Sequence, residues 1–186
     1  MTGNEIRVLS GRMVDPINVV VDDIDIKDIA HSLAMQCRYN GHLQVFYSVG
    51  EHSLYVSKHV EHKSIRGGAD ERQIREWSLS ALLHDAAEAY IGDMVRPLKH
   101  APEMQSFLDI EARIEEVIMK KFNLSIPFDD VIIKEADNAI CAWEKVMFRD
   151  NHLREAPTHK AVYFAFIDKF TELCGYNDDG SWAGRK

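Results

Sequence analysis

The stretch Ala81–Asp93, ALLHDAAEAYIGD, sets His84, Asp85 and Glu88 inside an otherwise apolar run. Leu82, Leu83, Ala86 and Ala87 surround the histidine, as in a helix packed on a core. The preceding pattern predicts one long helix from Asp70 to about Tyr90, interrupted by Gly92. On such a helix His84 and Glu88 are four residues apart and Asp85 and Glu88 three apart, so all three border one opening. Charges enclosed this way are costly unless they are paired or hold a metal.

Outward from this stretch the chain reads as helix after helix, without repeats. Ile26, Ile29, Ala30 and Leu33 recur at helical spacing between Asp25 and Cys37, and Ser48 is placed to cap a helix reaching His62. KSIRGGAD, with Gly67 and Gly68, is a loop. Pro102 suits the first turn of a helix with the stripe Phe107, Ile110, Ile114, Val117 and Ile118, ending near Asn123. Asp129 is expected to cap a helix through Met147, and Pro157 to open a last one through Cys174. Strand signals are confined to IRVL and VVV near the N-terminus. The reading is an all-α, single-domain helical bundle over residues 1–186, with an N-terminal extension of about 1–24 and a frayed tail of about 176–186.

The formal net charge of −8 argues against a broad nucleic-acid footprint but leaves room for a small phosphorylated ligand. No apolar stretch is long enough to cross a bilayer, and MTGNEIRVLSGRM lacks the features of a signal peptide, so a cytoplasmic protein without membrane partners is expected. Three cysteines, Cys37, Cys141 and Cys174, are widely spaced and are expected in the core.

In a chain of this composition roughly one His-Asp neighbour pair arises by chance, so His84-Asp85 needs companions. Two stand out: His52 beside Glu51 in YSVGEHSLYVS, and Asp137 among Ile133, Ala136 and Ile140. Read alone, His52 is a half-buried histidine facing a carboxylate, and Asp137 pairs with Lys134 one turn earlier. Imidazole and carboxylate together suit Mn, Co, Zn or Fe rather than Mg or Ca alone. His59 and His62 beside Glu61 read as a solvated helix end, Trp143, Met147 and Phe148 as core, and Glu144 as a partner behind the site.

In that order, His52, His84-Asp85 and Asp137 resemble the H…HD…D signature of the HD-domain metal-dependent phosphohydrolases. HDAAEAYIGD is similar to the HDxxE…GD segment of the bacterial 5′-deoxynucleotidase branch. CRYNGH followed by FYSVGEHS resembles that branch's arginine-aromatic pair, and small phage-type HD nucleotide phosphohydrolases are similar too. The likeness runs from about Ser10 to Trp143.

The resemblance implies one divalent metal ion on His52, His84, Asp85 and Asp137, with Glu88 and Asp93 as catalytic carboxylates. Arg38 matches the phosphate-binding arginine, and Tyr39 stands where that branch often has tryptophan. Lys99, in VRPLK, is the expected second phosphate contact, while Arg96 reads as a solvated surface charge. The implied reaction is water attack at the 5′ phosphate of a (deoxy)nucleotide. A dNTP triphosphohydrolase releasing triphosphate and a non-catalytic nucleotide-binding regulatory module are the alternatives. The resemblance and the apolar helical surface together imply a homo-oligomer.

Overall fold

The computed structural model describes residues 3–149 and 155–174. The expected frayed tail lies outside the described residues.

Among the described residues the fold is all-α, with eight α-helices and one short ribbon. The ribbon pairs β1 (Ile6–Arg7) antiparallel with β2 (Met13–Val14), placing Ile6 opposite Val14. The VVV segment is not a strand; Val21 begins a 3-10 turn ending at Asp23. Residues 3–24 are packed down rather than loose, because Val14, Val19 and Ile24 enter the core. Buried Asp28 accepts hydrogen bonds from Ser10 N (2.7 Å) and Ser10 Oγ (2.8 Å), fastening this segment to the bundle.

Helix α1 (Ile26–Met35) is capped by Asp25 and α2 (Val49–Arg66) by Ser48. Helix α3 (Glu71–Leu82) starts with a capping box between Asp70 and Gln73. The short α4 (Glu88–Ile91) and α5 (Arg96–Lys99) follow, then α6 (Gln105–Phe122), which ends on left-handed Asn123. Helices α7 (Val131–Arg149) and α8 (His159–Cys174) complete the bundle. Asp130, not Asp129, takes the bond from Ile132 N at the start of α7 (2.8 Å). No helix among the described residues is long and apolar enough to cross a membrane.

Helix α2 lies at the centre, packed by α1, α3, α7 and α8. The larger core joins α1, α6 and α8 around Leu33, Ile114, Ile118 and Phe166. A smaller one, Val56, Val60, Ala81, Ile133 and Ala136, binds α2 to α3 and α7. Small Ala81 and Ala136 let those backbones approach closely. Of the aromatic residues expected in the core, Trp143 is 39% exposed, resting its ring on Tyr55. Of the cysteines, Cys37 is exposed and Cys141 buried.

The expected helix from Asp70 to Tyr90 is broken. Leu82 ends α3, and residues 83–87 turn through i→i−3 bonds such as Ala86 N to Leu83 O (2.9 Å) and Glu88 N to Asp85 O (3.0 Å). Gly92 then takes φ +83°, open to glycine and strained for other residues.

Gly50 sits where α2 crosses α1: a Cβ there would lie 3.2 Å from Ala34 N and Leu33 C and 3.1 Å from Val162 Cγ1. Gly50→Ala gains about 1 kcal/mol of helix propensity but forces backbones apart, a cost of roughly 1–3 kcal/mol. We expect a net loss of stability, read as a lower urea midpoint; an unchanged or higher midpoint would show that α1 yields freely at this crossing.

Candidate metal centre

The site lies where the first turn of α2, the turn between α3 and α4, and the middle of α7 meet. Each contributes for a local reason. The Ser48 cap fixes the start of α2 and places His52 one turn in, with no exposed surface. The broken helix presents His84, whose Nδ1–H donates to Ala81 O (2.8 Å), the carbonyl that an unbroken helix would have bonded to Asp85 N. Asp137 and Glu144 are two turns apart on α7 and both face α2.

The nitrogen assignments follow from these partners. A carbonyl only accepts, so His84 carries its proton on Nδ1 and its Nε2 presents a lone pair. His52 Nδ1–H donates to Glu144 Oε1 (2.6 Å), leaving His52 Nε2 in the same condition. Both Nε2 atoms are buried, and in the neutral ring neither lone pair meets a donor among the described residues. They face carboxylate oxygens: His52 Nε2 is 3.1 Å from Asp137 Oδ1 and 3.8 Å from Asp85 Oδ2, and His84 Nε2 is 3.3 Å from Asp85 Oδ2. The two imidazole rings are 5.3 Å apart.

Lone pairs opposed at these distances need a cation between them. A proton can serve at His52, where burial and Arg38 disfavour the charge but the bonds to Asp137 and Glu144 outweigh them and raise its pKa. A proton serves poorly at His84, whose pKa burial lowers. A divalent ion satisfies both. With bonds to nitrogen and oxygen of about 2.0–2.2 Å, neighbouring donors on one ion stand roughly 3–4 Å apart. The described residues thus fit a metal centre, and His52, His84 and Asp85 form one trio of converging donor atoms.

Glu144 supports the centre from behind. It has no exposed surface, and besides His52 it accepts from Tyr47 OH (2.6 Å) and Tyr39 OH (2.6 Å). Burial opposes its ionisation, but the hydrogen bond and charge of His52 prevail and its pKa is lowered. Asp137 behaves likewise: burial is outweighed by the bond that a protonated His52 gives it and by the charge of His84, and its pKa falls.

Of the expected catalytic carboxylates, Glu88 is buried and its Oε2 has no hydrogen-bond partner among the described residues. Burial and the charges of Asp85 and Asp93 raise its pKa well above the usual range. Asp93 is half-buried, its backbone N–H donating to Gln36 Oε1 (3.1 Å), while Gln36 Nε2 donates to Glu88 O (3.0 Å). One amide therefore ties both acids to the end of α1. Burial raises the pKa of Asp93 against the pull of Arg38.

The expected phosphate contacts are present but engaged. Arg38 Nη1 donates to Asp85 Oδ2 (3.3 Å), Nη2 to Cys141 Sγ (3.4 Å), and Nε lies 3.7 Å from Glu144 Oε2. Tyr39 does not turn its hydroxyl outward, since that group is spent on Glu144. Its backbone, with Asn40 and Gly41, is left-handed (φ +57°, +51° and +72°), a strained turn that its own hydrogen bond holds closed. Lys99 pairs with Glu111 (2.8 Å) but feels the charge of Glu88 and Asp85.

Three residues at the site escaped sequence reasoning. Arg96 is no free surface charge: Nη2 donates to Asp137 Oδ2 (2.6 Å) and Nη1 to Asn138 Oδ1 (2.9 Å). Asp137 therefore takes Arg96 and His52 as partners, while Lys134 lies 3.9 Å from Asp129. Cys141, one turn beyond Asp137, donates to its Oδ1 (3.2 Å). That i, i+4 spacing was a usable signal. Tyr47, in the segment preceding His52, is the third.

No family model matches the chain. An uncharacterized protein of Rhodobacter capsulatus is 39% identical over 120 residues, which is 63% of this chain and 58% of that protein. The uncharacterized protein YfdR of Escherichia coli K12 is 35% identical over 140 residues, covering 75% of this chain and 70% of YfdR. The chain thus spans less than two thirds of the length of the first relative.

Replacing Glu144 by Gln removes the charge that holds His52 Nδ1–H. Partners of this kind are worth about 10–100-fold in metal affinity. That loss is expected in a chelator-competition titration; unchanged affinity would make Glu144 a packing group only.

At the rim, burial and the neighbouring Glu111, opposed by Lys99, push the Glu115 carboxyl up to about 7. The folded state then holds a proton that the unfolded state, titrating near the ordinary value of about 4.3, has released. This contribution is present at low pH and is lost as pH rises through about 7. Thermal midpoints measured from pH 5 to 8 should fall more in the wild type than in Glu115→Gln, and parallel curves would refute this.

Proposed function

The chain belongs to the family of YfdR of Escherichia coli, and with that membership as premise we propose that it is an HD-type metal-dependent phosphohydrolase of (deoxy)nucleotides, of the 5′-deoxynucleotidase kind. The observation that carries the reading is the convergence of the two unpartnered histidine Nε2 atoms on Asp85 and Asp137. Arg38 bonds to Asp85, and the Glu88 carboxyl lies within the influence of Asp85 and Arg38. The choice of nucleotides among phosphate esters rests on the resemblance of HDAAEAYIGD and CRYNGH…FYSVGEHS, since both relatives are uncharacterized.

In this reading His52, His84, Asp85 and Asp137 hold the ion. When bound, a divalent ion supplies Lewis acidity toward a phosphoryl oxygen and lowers the pKa of water. Glu88, buried and short of partners, orients the attacking water and takes up its proton. Arg38 offers a planar fork to the phosphate oxygens, which compete with Asp85 for it. Its backbone N–H, donating to Tyr47 O (2.9 Å), keeps the fork in place. Lys99 adds positive charge at the rim, and Asp93 is available to a sugar hydroxyl or to the departing proton. Cytoplasmic location and self-association belong to the same proposal; Trp143 and Val146 leave apolar surface exposed on α7.

The test is chromatography of products after incubating Mn- or Co-loaded protein with separate dNMP, dNTP and ribonucleotide panels. Nucleoside and phosphate from dNMPs are expected. Nucleoside with intact triphosphate from dNTPs would move the enzyme to the triphosphohydrolases. No turnover with metal bound would leave a regulatory module. Glu88→Gln should retain metal and lose roughly 10²–10⁴-fold in kcat; a near-native rate would remove Glu88 from proton transfer.

A further inference from the structure

A second trio of donor atoms shares His52 with the first: His52 Nε2, Asp137 Oδ1 and Cys141 Sγ lie within 4.8 Å of one another. The adjacent separations are 3.1 Å from nitrogen to oxygen and 3.2 Å from sulfur to oxygen. With metal–sulfur bonds of about 2.3 Å and metal–oxygen bonds of about 2.0–2.2 Å, such spacings suit donors on one ion. Cys141 is buried, on the face of α7 that carries Asp137 and Glu144. Its sulfur accepts from Arg38 Nη2 (3.4 Å), but burial and the charge of Asp137 outweigh that contact and push the free thiol up to about 12, so the thiolate forms only with a cation present. The buried, unpartnered His52 Nε2 is aimed into the same space.

We propose that Cys141 is a sulfur ligand of the metal centre, giving the site a preference for thiophilic divalent ions, Zn, Co or Cd, over Mn or Mg. Soft thiolate selects such ions where carboxylate and imidazole alone discriminate less. On binding, the S–H bond breaks, its proton leaves to solvent, and the sulfur electron pair goes to the ion. No electrons are transferred. Cys141 then gives up its bond to Asp137 Oδ1, freeing that oxygen to join the coordination. The inference rests on the metal reading above and adds a ligand that the H…HD…D signature does not contain.

The test is titration of metal-free full-length protein with Co(II), read by absorption, with bound cobalt measured by elemental analysis. Wild type is expected to bind cobalt and show an intense near-ultraviolet thiolate-to-cobalt band. Cys141→Ser should keep the cobalt and lose the band, and Cys37→Ser should keep both. Cobalt bound without the band, or a band that survives Cys141→Ser, overturns the ligand role and leaves the metal reading standing. No cobalt bound by the wild type overturns both. Should Cys141→Ser fail to fold, X-ray absorption of Zn-loaded wild type decides: a sulfur scatterer at about 2.3 Å supports the proposal, and a shell of only nitrogen and oxygen refutes it.

Discussion

The hydrogen bond from His52 Nδ1–H to the buried Glu144 carboxylate, 2.6 Å long, is the constraint on which the centre of the molecule depends. A carboxylate without exposure to water is costly unless every lone pair finds a donor. Tyr39, Tyr47 and His52 supply those donors from the loop between α1 and α2 and from α2 itself. The same contacts fix the imidazole tautomer, close the strained turn at Tyr39 and join α7 to α2. The orientation of His52 and the packing of the helices are thus one set of interactions.

A second constraint is the interruption after Leu82. A continuous helix would have bonded the Ala81 carbonyl to the backbone N–H of Asp85. The turn lets the His84 ring take the carbonyl of Ala81 and aims Nε2 at Asp85. Such breaks sit where side chains must be re-aimed, at some cost in regular backbone bonding. Here the cost is offset by the packing of Leu82, Leu83, Ala86 and Ala87.

The electrostatic balance has the same logic. Asp85, Asp137 and Glu144, with Glu88 and Asp93, crowd negative charge around two histidines. Arg38 and Arg96 bond directly to Asp85 and Asp137, and Lys99 is held nearby by Glu111. The expected phosphate contact Arg38 is therefore also a counter-charge that favours the ionised forms of Asp85 and Glu144.

Helical periodicity, the Ser48 and Asp70 caps and the stripe on α6 were legible because they are local properties of the chain. So were the site candidates: the H…HD…D order named His52, His84, Asp85 and Asp137, and the structure brings them together. The break at residues 83–87 was not legible, because a run rich in alanine and leucine favours helix and the histidine–carbonyl bond that accompanies its end has no signal in the local pattern. Nor was Arg96: its partner lies on α7, 41 positions away. By itself the sequence determined most of the segments that become helices, the caps at Ser48 and Asp70, and which side chains could hold a metal. Only the tertiary structure decided which nitrogen faces the centre, which cation answers which carboxylate and that Cys141 lies beside His52 and Asp137, because those depend on distances between segments remote in sequence.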